Sequence, residues 1–99
     1  MTPNAQTLFA YAKTLEGATL RTLTRGAAFQ VAVIGNTLEF SPASSRQPRR
    51  ESKSSVDALL RHFDKTQSWQ MSDYQDVSFN ASYVLTLLRG WRDNGAALA

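Results

Sequence analysis

The sequence predicts an α+β fold in which a three-stranded antiparallel sheet has one face covered by helices, in the order α-β-β-β-α-α. Three observations support this prediction: helical apolar periodicity at both ends of the chain, a period of two in its middle, and the two-residue turn Gly35-Asn36. One sheet face needs apolar cover and the helices have apolar stripes, so a two-layer sandwich follows. A chain of 99 residues has room for one core, which predicts a single domain over 1–99.

The first helix is predicted over residues 3–16. Thr2 is a suitable cap, Pro3 suits the first helical position, and Gly17 ends the segment. The apolar residues that recur on one face are Ala5, Leu8, Phe9, Ala12 and Leu15.

The second and third strands form a hairpin around Gly35-Asn36. With these two residues as the loop, Val33 faces Leu38 and Val31 faces Phe40. Large apolar side chains then share one face, so the turn and the hydrophobic pattern predict the same register.

The first strand is predicted over 19–24, where β-branched residues are frequent. A turn at Arg25-Gly26 would pair Leu20 with Val31 and place Arg21 on the polar face. This register is less constrained, because a slip of one residue would exchange the two faces.

Pro42 ends the third strand, and residues 43–53 have no apolar period, which predicts an exposed loop. Ser54 and Asp57 have the spacing of a capping box, so a second helix is expected near 55–65.

Residues 66–79 show no clean period, but their large apolar side chains predict a loop that packs against the core. Asn80 is expected to cap a third helix that Asn94-Gly95 ends, and residues 95–99 are expected to fray.

Composition and motifs favour a non-enzymatic protein without cofactor or metal. The chain has no cysteine, and no spacing of nucleophile, base or phosphate loop is present. His62 lies off the apolar stripe of the second helix and is expected to face solvent. Asp73 and Asp76 are two carboxylates without further acidic ligands, which make a poor metal site. No apolar run reaches the ~20 residues of a membrane span and no leader is evident, which predicts a soluble cytoplasmic protein that does not bind membranes.

The basic residues concentrate at the centre of the chain. Residues 42–65 have six basic and three acidic side chains, a balance equal to the whole net charge of +3. The cations precede a predicted helix start, where a positive charge opposes the helix macrodipole and so does not stabilise the helix. Unpaired backbone N–H groups and hydroxyls at the same place favour the binding of an anion. The segment is therefore predicted to contact nucleic-acid phosphates. The predicted site residues are Arg46, Arg49, Arg50, Ser52, Lys53 and Ser54, with Arg21 from the open sheet face.

Two alternatives stay open at this stage. The arginines could pair with acids of the same chain, such as Glu51 or Asp57, in a solvated loop. The protein could also be an interaction module or homodimer that uses a strand edge or the last helix, with Leu87 or Trp91 at the contact. A short cysteine-free chain without a reaction motif is typical of small accessory proteins of bacterial mobile elements.

Two aromatic residues of the packed loop, Trp69 and Tyr74, could stack on bases if they were exposed. Their apolar-rich surroundings favour the core instead.

Overall fold

A computed structural model describes residues 2–23, 25–78 and 80–95, which form three α-helices and one four-stranded antiparallel sheet of order β1-β2-β3-β4. The α+β class is confirmed, with one strand more than predicted. Thr24, Phe79 and most of the predicted frayed tail lie outside the described residues. The elements are α1 (Ala5–Thr14), β1 (Leu20–Arg21), β2 (Ala28–Ile34), β3 (Thr37–Pro42), β4 (Arg49–Ser52), α2 (Lys53–Thr66), a 3-10 turn (Met71–Tyr74), α3 (Ala81–Gly90) and a π-helical turn (Trp91–Gly95).

The start of α1 differs from the prediction by two residues, because Asn4 rather than Thr2 is the cap. Asn4 Oδ1 accepts a hydrogen bond from the Thr7 N–H at 2.8 Å. A second free N–H of the first turn, that of Ala5, donates to Asp57 Oδ1 of α2 at 2.9 Å. Asp57 therefore satisfies the end of α1 and fixes the two helices against each other.

The predicted hairpin register is confirmed: Ile34 pairs with Thr37, and every further pair down to Val31 and Phe40 follows from it. Gly35 has φ 61°, the left-handed conformation that the first position of a type II′ turn requires.

The predicted register of β1 is wrong by two residues, since Leu20 pairs with Phe29 rather than Val31. The connection is wider than a two-residue turn because the Thr22 N–H donates to the Ala27 carbonyl at 3.0 Å. A shift of two residues leaves each side chain on its predicted face, and Leu23 is exposed.

The largest correction concerns the predicted loop 43–53, because Arg49–Ser52 forms β4 and pairs with β3. Helix α2 then begins at Lys53, with Ser52 rather than Ser54 as its cap. The outer edge of β4 is covered at one point, where Asn80 Nδ2 donates to the Arg50 carbonyl at 3.2 Å. Asn80 does precede α3 as predicted, but its side chain makes this tertiary contact instead of a cap.

The core lies between the helices and one sheet face. Phe29 and Phe40 of the sheet hold the Tyr83 ring of α3, with ring centroids 4.8 and 5.0 Å from it. Leu87 is only 1% exposed, so it packs inside the chain and is not available to a partner. Trp91 is half-buried and packs against the same core.

In the part of the chain that the structure describes, every helix is too short or too polar to span a bilayer.

Candidate functional site

The strand β4 separates the two adjacent arginines of the predicted site. Paired residues of neighbouring strands share a sheet face. Arg49 pairs with the buried Phe40 and therefore lies on the helix-covered side, at its exposed rim, whereas Arg50 pairs with Glu39 on the open face. The Arg50 Nε donates to Glu39 Oε2 at 3.0 Å. One predicted anion-binding cation is thus already paired with a carboxylate of the chain.

The hydroxyls of the predicted site lie at the opposite end of β4 from Arg49. Ser52 Oγ accepts from the Ser55 N–H at 3.2 Å and caps α2, and it also lies 3.2 Å from Ser54 Oγ. The Lys53 N–H donates to the carbonyl of Asn36 at 2.8 Å. Ser52, Lys53 and Ser54 therefore adjoin the hairpin turn, and the structure does not bring them together with Arg49.

Four arginines lie at the other end of the sheet. Because neighbouring strands are antiparallel, the β1–β2 and β3–β4 connections lie at the same end. Arg25 lies in the first connection, Arg46 in the second, and Arg49 at the start of β4. Arg21, the last residue of β1, donates from Nη1 to the carbonyl of Gly26 at 3.0 Å. We call Arg21, Arg25, Arg46 and Arg49 the arginine end of the sheet.

The arginine end lacks charge compensation at close range. Within the described residues, ion pairs shorter than 4 Å involve only Arg50 and Arg89. Between Glu39 and Glu51 the chain has no acidic residue, and none lies between Glu16 and Glu39. The cations of both connections are therefore open to an external anion.

Two of these arginines line a cleft of about 340 Å³, which we call the arginine cleft. No carboxylate lines it among the described residues, and it has both hydroxyl and apolar walls. The lining residues are Thr22, Arg25, Ala27, Ser44, Arg49, Met71, Ser82 and Tyr83.

Of the residues at this end of the sheet, Arg21, Arg46 and Arg49 are predicted from sequence, whereas Arg25, Ser44 and Ser82 are not. In the sequence, Arg25 is identified only as part of a turn. Arg25 could have been predicted from the antiparallel strand order, because alternate connections of such a sheet lie at the same end. Ser82 and Tyr83 arrive from α3, and no local pattern indicates that contact.

The single histidine does not face solvent as predicted. His62 is half-buried, and its ring meets the Tyr74 ring edge-on with centroids 5.0 Å apart. Tyr74 is fully buried, which agrees with the preference for a core position. Its hydroxyl donates to the carbonyl of Ser68 at 2.6 Å.

Trp69 is half-buried, and its ring packs against other side chains of the chain. Its ring centroid lies 4.7 Å from that of Phe63. The guanidinium carbons of Arg89 and Arg92 lie 5.4 and 5.7 Å from the indole centroid. These contacts satisfy the indole internally through ring packing and cation–π attraction.

Of the two acidic candidates, Asp76 is exposed and Asp73 has a structural partner. Asp73 accepts a hydrogen bond from the Ser68 hydroxyl. Asp57 and Asp64 line a second cleft, where they hold the start of α1 through Ala5 and Thr2. No group of three metal-ligating side chains occurs among residues 2–23, 25–78 and 80–95.

Comparison with family models, curated proteins and solved structures found no match for this chain.

Proposed function

We propose that the protein is a non-enzymatic binding protein whose arginine end holds nucleic-acid phosphates. The observation that supports this proposal is the gathering of Arg25, Arg46 and Arg49 at one sheet end with no carboxylate of the described residues within ion-pair distance. Arginine forms bidentate hydrogen bonds with phosphate, and two of these arginines, Arg25 and Arg49, line the same cleft.

A polyanion fits this surface better than a single small anion does. The arginine end extends across all four strands, which is about 14 Å at ~4.8 Å per strand. Arg46 and Arg21 lie outside the cleft, so the positive surface continues beyond the pocket. Nucleic acid presents a charge about every 3.4 Å along each strand and can meet several of these arginines together.

The proposal predicts which arginines matter for binding. Removing one arginine–phosphate contact should reduce the slope of log affinity against log salt by about 0.7–0.9. Arg25→Ala with Arg49→Ala should therefore lower the slope by about 1.4–1.8, measured by fluorescence anisotropy with labelled DNA at several salt concentrations. Contacts of this kind position the backbone without reading sequence, so the reduction should be similar for different base sequences.

Arg50→Ala is the matched control because it removes the same charge from the neighbouring position on the open face. Its guanidinium already pairs with Glu39, so a much smaller change in slope is expected. Lys13→Ala with Lys65→Ala removes two exposed helical cations that are not part of the arginine end and controls for net charge. Binding that is unchanged in the Arg25 and Arg49 variant would contradict the proposal.

The cytoplasmic location and the mobile-element setting stay predictions, since neither depends on the geometry of this surface.

A further inference from the structure

The arginine cleft has an apolar wall in addition to its two cations. Met71 and Tyr83 line it beside Arg25 and Arg49. The Tyr83 ring is stacked on Phe40 with an interplanar angle of 19°, so its position is set by the core. A site for phosphate alone has no need of this apolar wall, whereas a nucleotide has an apolar face next to its charge.

The hydroxyl groups around this wall can meet polar atoms of a base or sugar. Ser44, Ser82 and Tyr83 all line the cleft. Thr22 Oγ1 accepts a hydrogen bond from the Ala27 N–H at 3.0 Å, which holds this side of the cleft in place. The cleft therefore combines guanidinium groups for phosphate with hydroxyl and apolar groups for the rest of a nucleotide.

The shape of the cleft distinguishes between duplex and single-stranded ligands. Its volume of about 340 Å³ is at the small end of ligand pockets, which span roughly 300–1,000 Å³. Duplex bases are stacked inside the helix, and proteins reach their edges by inserting a protruding element into a groove. Single-stranded bases can be splayed out and enter a concave site.

We infer that the arginine cleft takes one unstacked nucleotide of a single-stranded nucleic acid. Arg25 and Arg49 hold its phosphate, and Met71 and Tyr83 contact its base or sugar. This inference rests on the proposed function, because it assigns a nucleic-acid class to the same arginines.

The test compares a labelled ten-nucleotide thymidine DNA strand with a duplex of the same length, by anisotropy at one salt concentration. The single strand should bind about tenfold more tightly, since a base contact contributes to binding in addition to the phosphates. Ala27→Leu fills the cleft from an exposed position and leaves every arginine in place. It should remove the preference for the single strand, because the filled cleft no longer admits a base.

Two further variants keep the test independent of folding. Ser44→Leu fills the cleft from the β3–β4 connection and should have the same effect. Ala10→Leu makes the same type of change on the exposed side of α1 and should leave both affinities unchanged. Thermal unfolding midpoints show that each variant is folded.

The inference and the proposed function fail in different ways. Equal affinity of the wild-type protein for single strand and duplex, unaffected by Ala27→Leu and Ser44→Leu, overturns the inference and leaves the phosphate surface in place. Single-strand binding that the Arg25 and Arg49 variant retains in full overturns both the inference and the proposed function.

Discussion

Helix α3 ends next to Tyr11. We expect Gly90→Ala to destabilise the wild-type protein and to stabilise the Tyr11→Phe variant. Gly90 is the last residue of α3, and a Cβ built there would lie 2.6 Å from the Tyr11 hydroxyl oxygen. The next nearest ring atoms, Tyr11 Cε2 and Cζ, would be at 3.5 Å, which is ordinary van der Waals contact. The hydroxyl group alone therefore opposes a larger residue at position 90.

Two opposing terms determine the effect of Gly90→Ala on the free energy of unfolding. Alanine in place of glycine favours a helix by up to about 1 kcal/mol. Overpacking, here against the hydroxyl of the half-buried Tyr11, costs about 1–3 kcal/mol. The variant should therefore be less stable than wild type, by about 0.5–2 kcal/mol.

The same change in a Tyr11→Phe background should be stabilising by about 0.5–1 kcal/mol, because the obstructing oxygen is absent. Urea unfolding of the four proteins, followed by tryptophan fluorescence, gives the coupling energy of the double-mutant cycle. A coupling of about 1–3 kcal/mol is expected. Gly90→Ala with the same effect in both backgrounds would refute the steric explanation.

Three other predictions concern the core, the helix start and pH. Phe40→Ala removes a fully buried ring that supports Tyr83 and should cost about 3–5 kcal/mol in urea unfolding. Asp57→Ala removes the acceptor of the Ala5 N–H and should cost about 0.5–2 kcal/mol, with faster amide hydrogen exchange in the first turn of α1 as the specific signal. Burial raises the pKa of Tyr11 and of Tyr74 above 10, so the unfolded state loses these protons first and stability should fall as pH rises above about 10. Absorbance titration of tyrosine ionisation, with urea midpoints at about pH 9 and about pH 11, measures this decrease, and a midpoint that does not change would contradict it.

The dimer alternative leads to one more measurement. Leu87 is buried within the chain and Asn80 covers part of the β4 edge, so light scattering at high micromolar concentration should give a monomer. If a stable dimer forms, the expected contact is Ile34 on the open sheet face, a residue that is 54% exposed.

The central hairpin could be predicted from sequence because its determinants are local. Gly35-Asn36 allows only a narrow set of turns, and the alternation of apolar residues selects one register among them. The apolar stripes of the helices are equally local, which is why the sequence predicts all three helices within a few residues of their observed bounds.

Strand β4 could not be predicted because Arg49–Ser52 has no apolar alternation of its own. It is extended because β3 offers a free edge whose backbone groups it pairs with. The register of β1 depends in the same way on hydrogen bonds within its connection, which side-chain pattern does not indicate.

Periodicity, turn chemistry and composition act over a few residues, so they are sufficient to predict the α+β class, the hairpin register and the central excess of arginine. Which arginines lie at the same end of the sheet depends on the tertiary structure. Pairing with β3 sends Arg49 and Arg50 to opposite faces, and antiparallel order brings Arg25 beside Arg49 from a distant part of the chain. A strand alternates its side chains between two environments, so residues adjacent in sequence are separated while residues of different connections become neighbours.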